Sequence, residues 1–206
     1  MKKSLVLVIG LAVIAIIILV GLFLFQIGTK VVEPENIVEN NNTSSVEIKS
    51  NDDIKAFIDK IYDEIGRENM MKVESNEIDL KDNDAIYSYV GLSNSENIEY
   101  AVVSEPMMTS SAYSFVVMKL KSGVNSKEVA QEVLDNVNPR KWICVEAEQT
   151  NVIYNDDIIC LVMTNTDLAN KVKNSVKSKL NIEDSNILEK INIEDIELPP
   201  EILVTE

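Results

Sequence analysis

An apolar stretch near the N-terminus constrains this chain more than any other feature. It runs for 21 residues from Leu5 to Phe25 without a charged side chain, directly after Lys2-Lys3-Ser4. At a rise of 1.5 Å per residue, a helix of about this length spans the ~30 Å hydrocarbon core of a bilayer. A cleaved signal peptide has a shorter apolar region, of about 7–15 residues, which ends in a site of small residues. The sequence therefore predicts a retained transmembrane helix over residues 5–27.

Lysine residues indicate the orientation of this predicted helix. Positively charged residues that flank a membrane span tend to stay on the cytoplasmic side. Lys2 and Lys3 precede the span, whereas Lys30 alone follows it closely. We therefore expect residues 1–4 to be cytoplasmic and the chain after residue 27 to be extracytoplasmic. The protein would then be a single-pass protein of the cell membrane, and its partner through residues 5–27 would be the lipid bilayer.

Residues 28–50 have the composition of a flexible polar linker. Between Glu39 and Ser45 the sequence has no apolar periodicity, and such a segment cannot build a core. A flexible chain of about 20 residues has a root-mean-square span of roughly 25 Å. The predicted linker therefore lets the domain that follows move above its anchor.

The chain beyond the predicted span is strongly acidic. The whole sequence carries a net charge of −15, and because residues 1–30 contain three lysines and no acid, the remainder carries −18. Nucleic-acid binding requires clustered Lys and Arg, so this charge argues against nucleic acid as a partner. It also argues against a domain that lies flat on anionic lipid, and an acidic solvated surface is the simplest interpretation.

Apolar residues at helical spacing predict three helices. The first covers Ile54–Ile65, with a cap at Ser50 or Asn51 and a stop at Gly66. The other two follow pairs of strand-like segments, and they cover about residues 126–137 and 166–180. Between residues 67 and 97 the pattern is weaker, with a loop at residues 70–73 and either a short strand or a helical turn at 84–90.

Segments rich in β-branched and aromatic residues predict strands between these helices. They lie at residues 98–104, 112–121, 142–147, 152–154 and 157–164. Because consecutive strands are joined by short loops, antiparallel pairing is expected. The predicted fold class is therefore α+β: one extracytoplasmic domain over residues 51–180, with two layers, the order α-ββα-ββα, an antiparallel sheet and helices on one face.

The C-terminal stretch, residues 181–206, reads as an acidic tail with a net charge of −7. It contains a short repeat, since Asn181-Ile182-Glu183-Asp184 returns as Asn192-Ile193-Glu194-Asp195. Its regularly placed isoleucines and leucines leave open a second interpretation, in which it docks by strand addition or as an induced helix.

Part of this domain resembles a known family. The resemblance lies in AYSFVVMKLKSG from Ala112, in the amphipathic segment SKEVAQEVLDNV from Ser126, and in DDIICLVMTNTDLANKVKNSVK from Asp156. These segments are similar to an uncharacterised domain-of-unknown-function family of Gram-positive bacteria, over about residues 52–180. Its members are typically anchored outside the membrane by an N-terminal helix or a lipid, and the resemblance implies no catalytic position.

Few residues indicate chemistry. The sequence has no histidine, so Ser-His and Cys-His nucleophiles and imidazole metal sites are excluded. Glu146 and Glu148 could share one face of a strand as an acid–base pair, but a solvated strand face is the ordinary explanation for such a pair. Asp156-Asp157 reads as a turn and lacks the spacing of a calcium loop. We assign no catalytic, cofactor-binding or metal residue and expect no cofactor.

Cys144 and Cys160 are the two cysteines. An extracytoplasmic location permits a disulfide. A tight turn at Asn155-Asp156 would pair Tyr154 with Asp157, which places Cys160 opposite Asn151 and away from Cys144. Two reduced thiols and a bridge formed by another route both stay open.

These features predict a function of binding and not of catalysis. We expect a non-enzymatic module that binds or scaffolds a protein partner in the cell envelope. The alternative is an envelope enzyme, or an accessory subunit of an envelope-modifying system, that uses carboxylate chemistry.

Overall fold

The described part of the structure, a computed structural model, comprises residues 46–108 and 111–192, without the side chain of residue 69. These residues belong to the second of two units of the chain, Ser45–Glu206. The predicted membrane helix at residues 5–27 and residues 28–45 of the predicted linker lie outside the described residues. Residues 46–50 of that linker are described, and Ile48 among them is buried in the hydrophobic core, so this end of the segment is not a free linker. Within residues 46–108 and 111–192 there is no helix that is both long enough and apolar enough to cross a membrane.

Four α-helices and six β-strands alternate along this part of the chain. In order they are α1 (Asn51–Ile65), β1 (Val73–Glu77), α2 (Asn83–Val90), β2 (Ile98–Pro106), β3 (Ser114–Leu120), α3 (Ser126–Asn136), β4 (Gln149–Tyr154), β5 (Ile158–Thr164), α4 (Thr166–Leu180) and β6 (Ile187–Ile191). Two short 3₁₀ turns, Arg67–Asn69 and Asp184–Asn186, precede β1 and β6.

The strands form one sheet with the order β1-β2-β3-β5-β4-β6, and every neighbouring pair is antiparallel. The predicted α+β class and antiparallel sheet are confirmed. The β2–β3 and β4–β5 hairpins are also present as predicted. Since β3 and β5 lie at the centre of the sheet, the two hairpins meet side by side.

Helices cover both faces of the sheet, so the prediction of two layers with helices on one face was wrong. Helices α2 and α3 pack on one face, against residues such as Val116 and Leu161. Helices α1 and α4 pack on the other face, against residues such as Phe115 and Val162. Strand β5 is buried at all seven positions, because both of its faces are covered.

Side chains cap the first turns of helices α1 and α4, and the cap of α1 is at Ser50, one of the two predicted positions. The Ser50 side chain accepts a hydrogen bond from the amide of Asp53, and Gly66 ends α1 with a φ of 86°. At α4, the Asn165 side chain accepts from the amide of Leu168. Each cap satisfies an amide that the first helical turn leaves without an intrahelical partner.

The structure corrects the prediction at three segments. Residues 142–147, predicted as a strand, form an irregular loop in which Trp142 packs into the core. Residues 83–90 form helix α2, which confirms the helical alternative at residues 84–90, whereas the polar strand β1 was not predicted and begins at Val73, the last residue of the predicted loop. The stretch from residue 181 was predicted as a tail, but its residues Ile187–Ile191 form the edge strand β6.

The β4–β5 turn is longer than predicted. Tyr154 pairs with Ile159, and Cys160 therefore lies opposite Ile153 instead of Asn151. The Asn155 side chain accepts hydrogen bonds from the amides of Asp157 and Ile158, at 3.1 and 2.7 Å. This local side-chain capping of two amides stabilises the wider loop.

Candidate functional site

Each of the six strands has one end on the same side of the sheet. The strand registers align, in a row across these ends, Val73, Pro106, Ser114, Thr164, Gln149 and Ile191. We call this row of strand ends the methionine end, because two Met-Met pairs lie there. Met70-Met71 leads into β1, and Met107-Met108 follows β2.

A groove lies between these two segments. It consists of two adjoining hollows of about 410 and 460 Å³ that share Met71 and Lys72. The remaining lining residues of this methionine groove are Tyr62, Arg67, Met70, Val73, Pro106, Met107, Met108 and Ser111. Strand pairing between Val73 and Pro106 holds the two walls side by side.

The hollow beside Met107 and Met108 is mainly apolar and open to solvent, whereas the hollow beside Arg67 is mixed. Met107 and Met108 are 68% and 73% exposed, whereas Met70 and Met71 are partly buried against the α1/α4 face of the core. Methionine is unbranched and polarizable, so a methionine surface adapts its shape to an apolar partner. The groove has the chemistry of a surface that binds an apolar segment.

Two cations border the groove, and only one of them is paired. Arg67 donates to carboxylate oxygens of Asp59 and Asp63 at 2.7 and 2.6 Å, and its guanidinium stacks over the ring of Tyr62 at 5.7 Å. Lys72 is exposed and forms no ion pair with any described residue. An acidic group on a ligand would therefore meet a free ammonium at the centre of the groove.

Buried hydroxyl groups lie beneath the groove. The Tyr113 hydroxyl donates a hydrogen bond to the Tyr62 hydroxyl at 3.0 Å, and both rings are almost completely buried. Burial raises the pKa of Tyr62 to about 12 and raises the pKa of Tyr113 well above its usual value. Both hydroxyls therefore stay protonated at physiological pH.

A second cluster of polar side chains surrounds Lys141 at the same end of the sheet. The Lys141 ammonium lies 2.5 Å from Glu105 Oε1 and donates to Ser114 Oγ at 3.1 Å. It also lies 5.0 Å from the centre of the Tyr89 ring and 5.4 Å from that of Trp142. Burial lowers the pKa of Lys141, while the charge of Glu105 opposes this shift.

This Lys141 cluster has the residue types of a Ser-Lys nucleophile but not its access. Such a nucleophile needs a hydroxyl that a substrate can reach and a lysine that can take its proton. Ser114 has no exposed surface, and Glu105 stabilises the charged form of Lys141. The cluster therefore fastens the loop around Trp142 to strands β2 and β3.

A double-mutant cycle on this pair tests the structural role. We expect Lys141→Met to lower the free energy of unfolding by about 1–3 kcal/mol, because it leaves Glu105 partly buried without its cation. Adding Glu105→Leu should restore about half or more of that loss. Urea denaturation followed by the fluorescence of Trp142 measures both, and additive losses would contradict the assignment.

The carboxylates considered from the sequence do not come together as a catalytic pair. Glu146 bonds to Arg140 at 2.7 Å, and Glu148 accepts from the amide of Thr166 at 2.9 Å, where it caps helix α4. Asp157 pairs with Lys119 at the opposite end of the sheet. Each of these three carboxylates has a local structural role.

The two cysteines lie in different environments. Cys160 is buried at the centre of β5, where burial raises the pKa of its thiol. Cys144 is exposed in the loop after α3, with a φ of 63°. Both are free thiols, so the alternative of a bridge between them is not realised.

Within residues 46–108 and 111–192, no group of three or more Cys, Asp or Glu side chains is placed to hold a metal ion. The methionine groove was not recognised from the sequence, where Met70-Met71 was interpreted only as a loop. A usable signal was present, since two Met-Met pairs lie in loops beside strand segments. Placing them together requires the β1–β2 register, which the polar sequence of β1 conceals.

Comparison with known proteins gave no match to a family model, to a curated protein or to a solved structure. The resemblance to an uncharacterised Gram-positive family stays a prediction.

Proposed function

We propose that this protein is a single-pass membrane protein whose extracytoplasmic domain binds or scaffolds a protein partner in the cell envelope. In this proposal residues 5–27 cross the bilayer, residues 1–4 stay in the cytoplasm, and the methionine groove receives the partner. The observation that carries the binding role is the groove itself, an exposed apolar hollow on a chain with a net charge of −15.

The chemistry of the groove indicates the kind of partner. Its walls include methionine and proline, and both of its hollows are lined by Lys72, which forms no ion pair with any described residue. An extended apolar segment with a carboxylate beside it would bury the methionine side chains and meet this ammonium. A basic or purely polar segment would gain neither contact.

Labelling of Cys144 tests the topology. A membrane-impermeant maleimide added to intact bacteria should label the full-length chain at one thiol, because Cys144 is exposed and Cys160 is buried. The Cys144→Ser variant controls for other reactions and should stay unlabelled. Labelling that requires cell lysis would contradict the extracytoplasmic location.

A photo-reactive amino acid at position 107 tests the groove. In intact cells it should crosslink to an envelope protein, and the adduct should be lost in a variant that also carries Met71→Asp. The matched control places the same amino acid at position 143, since Ile143 is 73% exposed but lies outside the groove. An equal adduct from position 143, or no adduct from position 107, would contradict binding through the groove.

A further inference from the structure

We propose that residues 193–206 of this chain occupy the methionine groove when no partner is bound. The inference rests on the proposed function of the groove and adds its regulation: the chain's own C-terminal segment would compete with the partner for the same surface. Four observations carry it, namely where the described chain ends, how far the groove is, which residues follow, and how the groove is charged.

The chain leaves the sheet at the methionine end. Ile191 pairs with Gln149, and the amide of Asn192 donates to the carbonyl of Glu148 at 2.8 Å. The Asn192 side-chain amide donates to the carbonyl of Ala147 and to Thr150 Oγ1, at 3.0 and 2.9 Å. Asn192 is therefore fixed at the methionine end, where the groove also lies.

The segment is long enough to reach the groove from this point. Four strand spacings separate β6 from β2, which corresponds to about 19 Å at ~4.8 Å per spacing. Residues 193–198 cover roughly 20 Å when extended at ~3.3 Å per residue. Residues from 199 onward would therefore reach the groove.

The residues that reach the groove have the composition its surface favours. Ile202, Leu203 and Val204 are consecutive apolar residues, and Glu201 and Glu206 lie on either side of them. The apolar residues would cover Met107 and Met108, which are exposed by 68% and 73%. A glutamate of the segment would meet the ammonium of Lys72, the cation of the groove that has no described ion-pair partner.

Crosslinking within the full-length chain tests this proposal. The test variant carries Met107→Cys, Leu203→Cys and Cys144→Ser, in detergent and without any partner, and is treated with a short bifunctional maleimide. Its comparison variant carries only Leu203→Cys and keeps the native Cys144. Cys144 is a demanding control because its loop contacts Asn192 through Ala147, so an undirected segment would reach it at least as easily.

We expect the 107–203 crosslink to exceed the 144–203 crosslink by about tenfold, since docking raises the effective concentration of residue 203 at the groove. Adding Lys72→Glu should lower the 107–203 yield by about threefold, as expected for one exposed ion pair, and leave the 144–203 yield unchanged. Equal yields for the two pairs would overturn the proposal. A yield that rises with protein concentration would also overturn it, because the segment would then come from a second copy.

The partner experiment and this experiment fail independently. The crosslink between residues 107 and 203 is measured without a partner, so its absence would leave the photo-crosslinking result at position 107 intact. Conversely, an intramolecular crosslink without any partner adduct in cells would support the docked segment and contradict the proposed binding function. If both hold, a stop codon after Asn192 should raise the partner adduct by about threefold or more.

Discussion

We expect Gly91→Ala to lower the free energy of unfolding by about 2–5 kcal/mol. Gly91 ends helix α2 with a φ of 75°, and its amide donates to the carbonyl of Tyr87 at 2.9 Å. A Cβ at this position would lie 2.6 Å from the amide nitrogen of Val137 and 2.7 Å from the carbonyl carbon of Asn136. Both are backbone atoms at the end of α3, so the two helices would have to separate.

Gly123→Ala is the matched control for this substitution. Gly123 also has a positive φ, of 84°, but a Cβ there would meet no atom within 4 Å. It should therefore lose only the conformational term, about 1–2 kcal/mol. Urea denaturation of both variants, followed by Trp142 fluorescence, measures the two losses. If the m-values are equal, the difference between the losses is the free energy that belongs to the contact with α3. Equal losses in the two variants would contradict close packing of Gly91.

The sequence predicted those elements whose stability comes mainly from local signals. Helix α4 begins at Thr166 and ends at Leu180 as expected, because Asn165 caps it and an apolar stripe at helical spacing follows. The β2–β3 hairpin was equally clear, since both strands are rich in β-branched residues. In these segments the local preference and the tertiary structure agree.

Edge strands escaped recognition because tertiary pairing, and not composition, makes them strands. Strand β1 has the sequence Val-Glu-Ser-Asn-Glu, with only Val73 apolar. It forms because β2 offers it a free row of backbone groups, and its exposed side chains need no apolar pattern. Strand β6 forms in an acidic stretch for the same reason, because β4 offers it a row of backbone groups. Ion pairs from α4 to Glu189 and to Asp184 add to its attachment.

The second helical layer could have been inferred from β5. Residues 158–164 are almost continuously apolar, which is typical of a strand that is covered on both faces. An alternating strand would have indicated a single covered face. The preference for a two-layer arrangement came from the short antiparallel connections, and it overlooked this burial signal.

The methionine groove depends on the register of the sheet and could not be derived from local patterns. Met71 and Met107 are distant in sequence, and only the pairing of Val73 with Pro106 brings their segments together. Charge was equally uninformative, because an overall acidic composition does not reveal that Lys72 lacks an ion-pair partner among the described residues. A groove of this kind is assembled by the topology of the sheet.

We expect the folded domain to lose stability steeply above pH 9, because of three buried acidic groups. Burial raises the pKa of Cys160 above its usual value of 9.0, raises that of Tyr62 from 10.0 to about 12, and raises that of Tyr113 well above 10.0. The unfolded chain therefore releases these protons first and binds fewer protons than the native state, so stability falls as pH rises.

The size of this loss makes it measurable. Each group lowers the free energy of unfolding by about 1.4 kcal/mol for every pH unit above its pKa in the unfolded chain. At pH 11 the three groups together therefore lower it by about 5 kcal/mol. The double variant Tyr62→Phe/Tyr113→Phe removes both hydroxyls of a mutually bonded pair, and the slope between pH 10 and 12 should fall by about two thirds. Tyr87→Phe, which removes a hydroxyl from a 62% exposed side chain, should leave the curve unchanged. Unfolding free energies from urea titrations at a series of pH values would detect the change, and an unaltered slope in the double variant would contradict the burial of this pair beneath the groove.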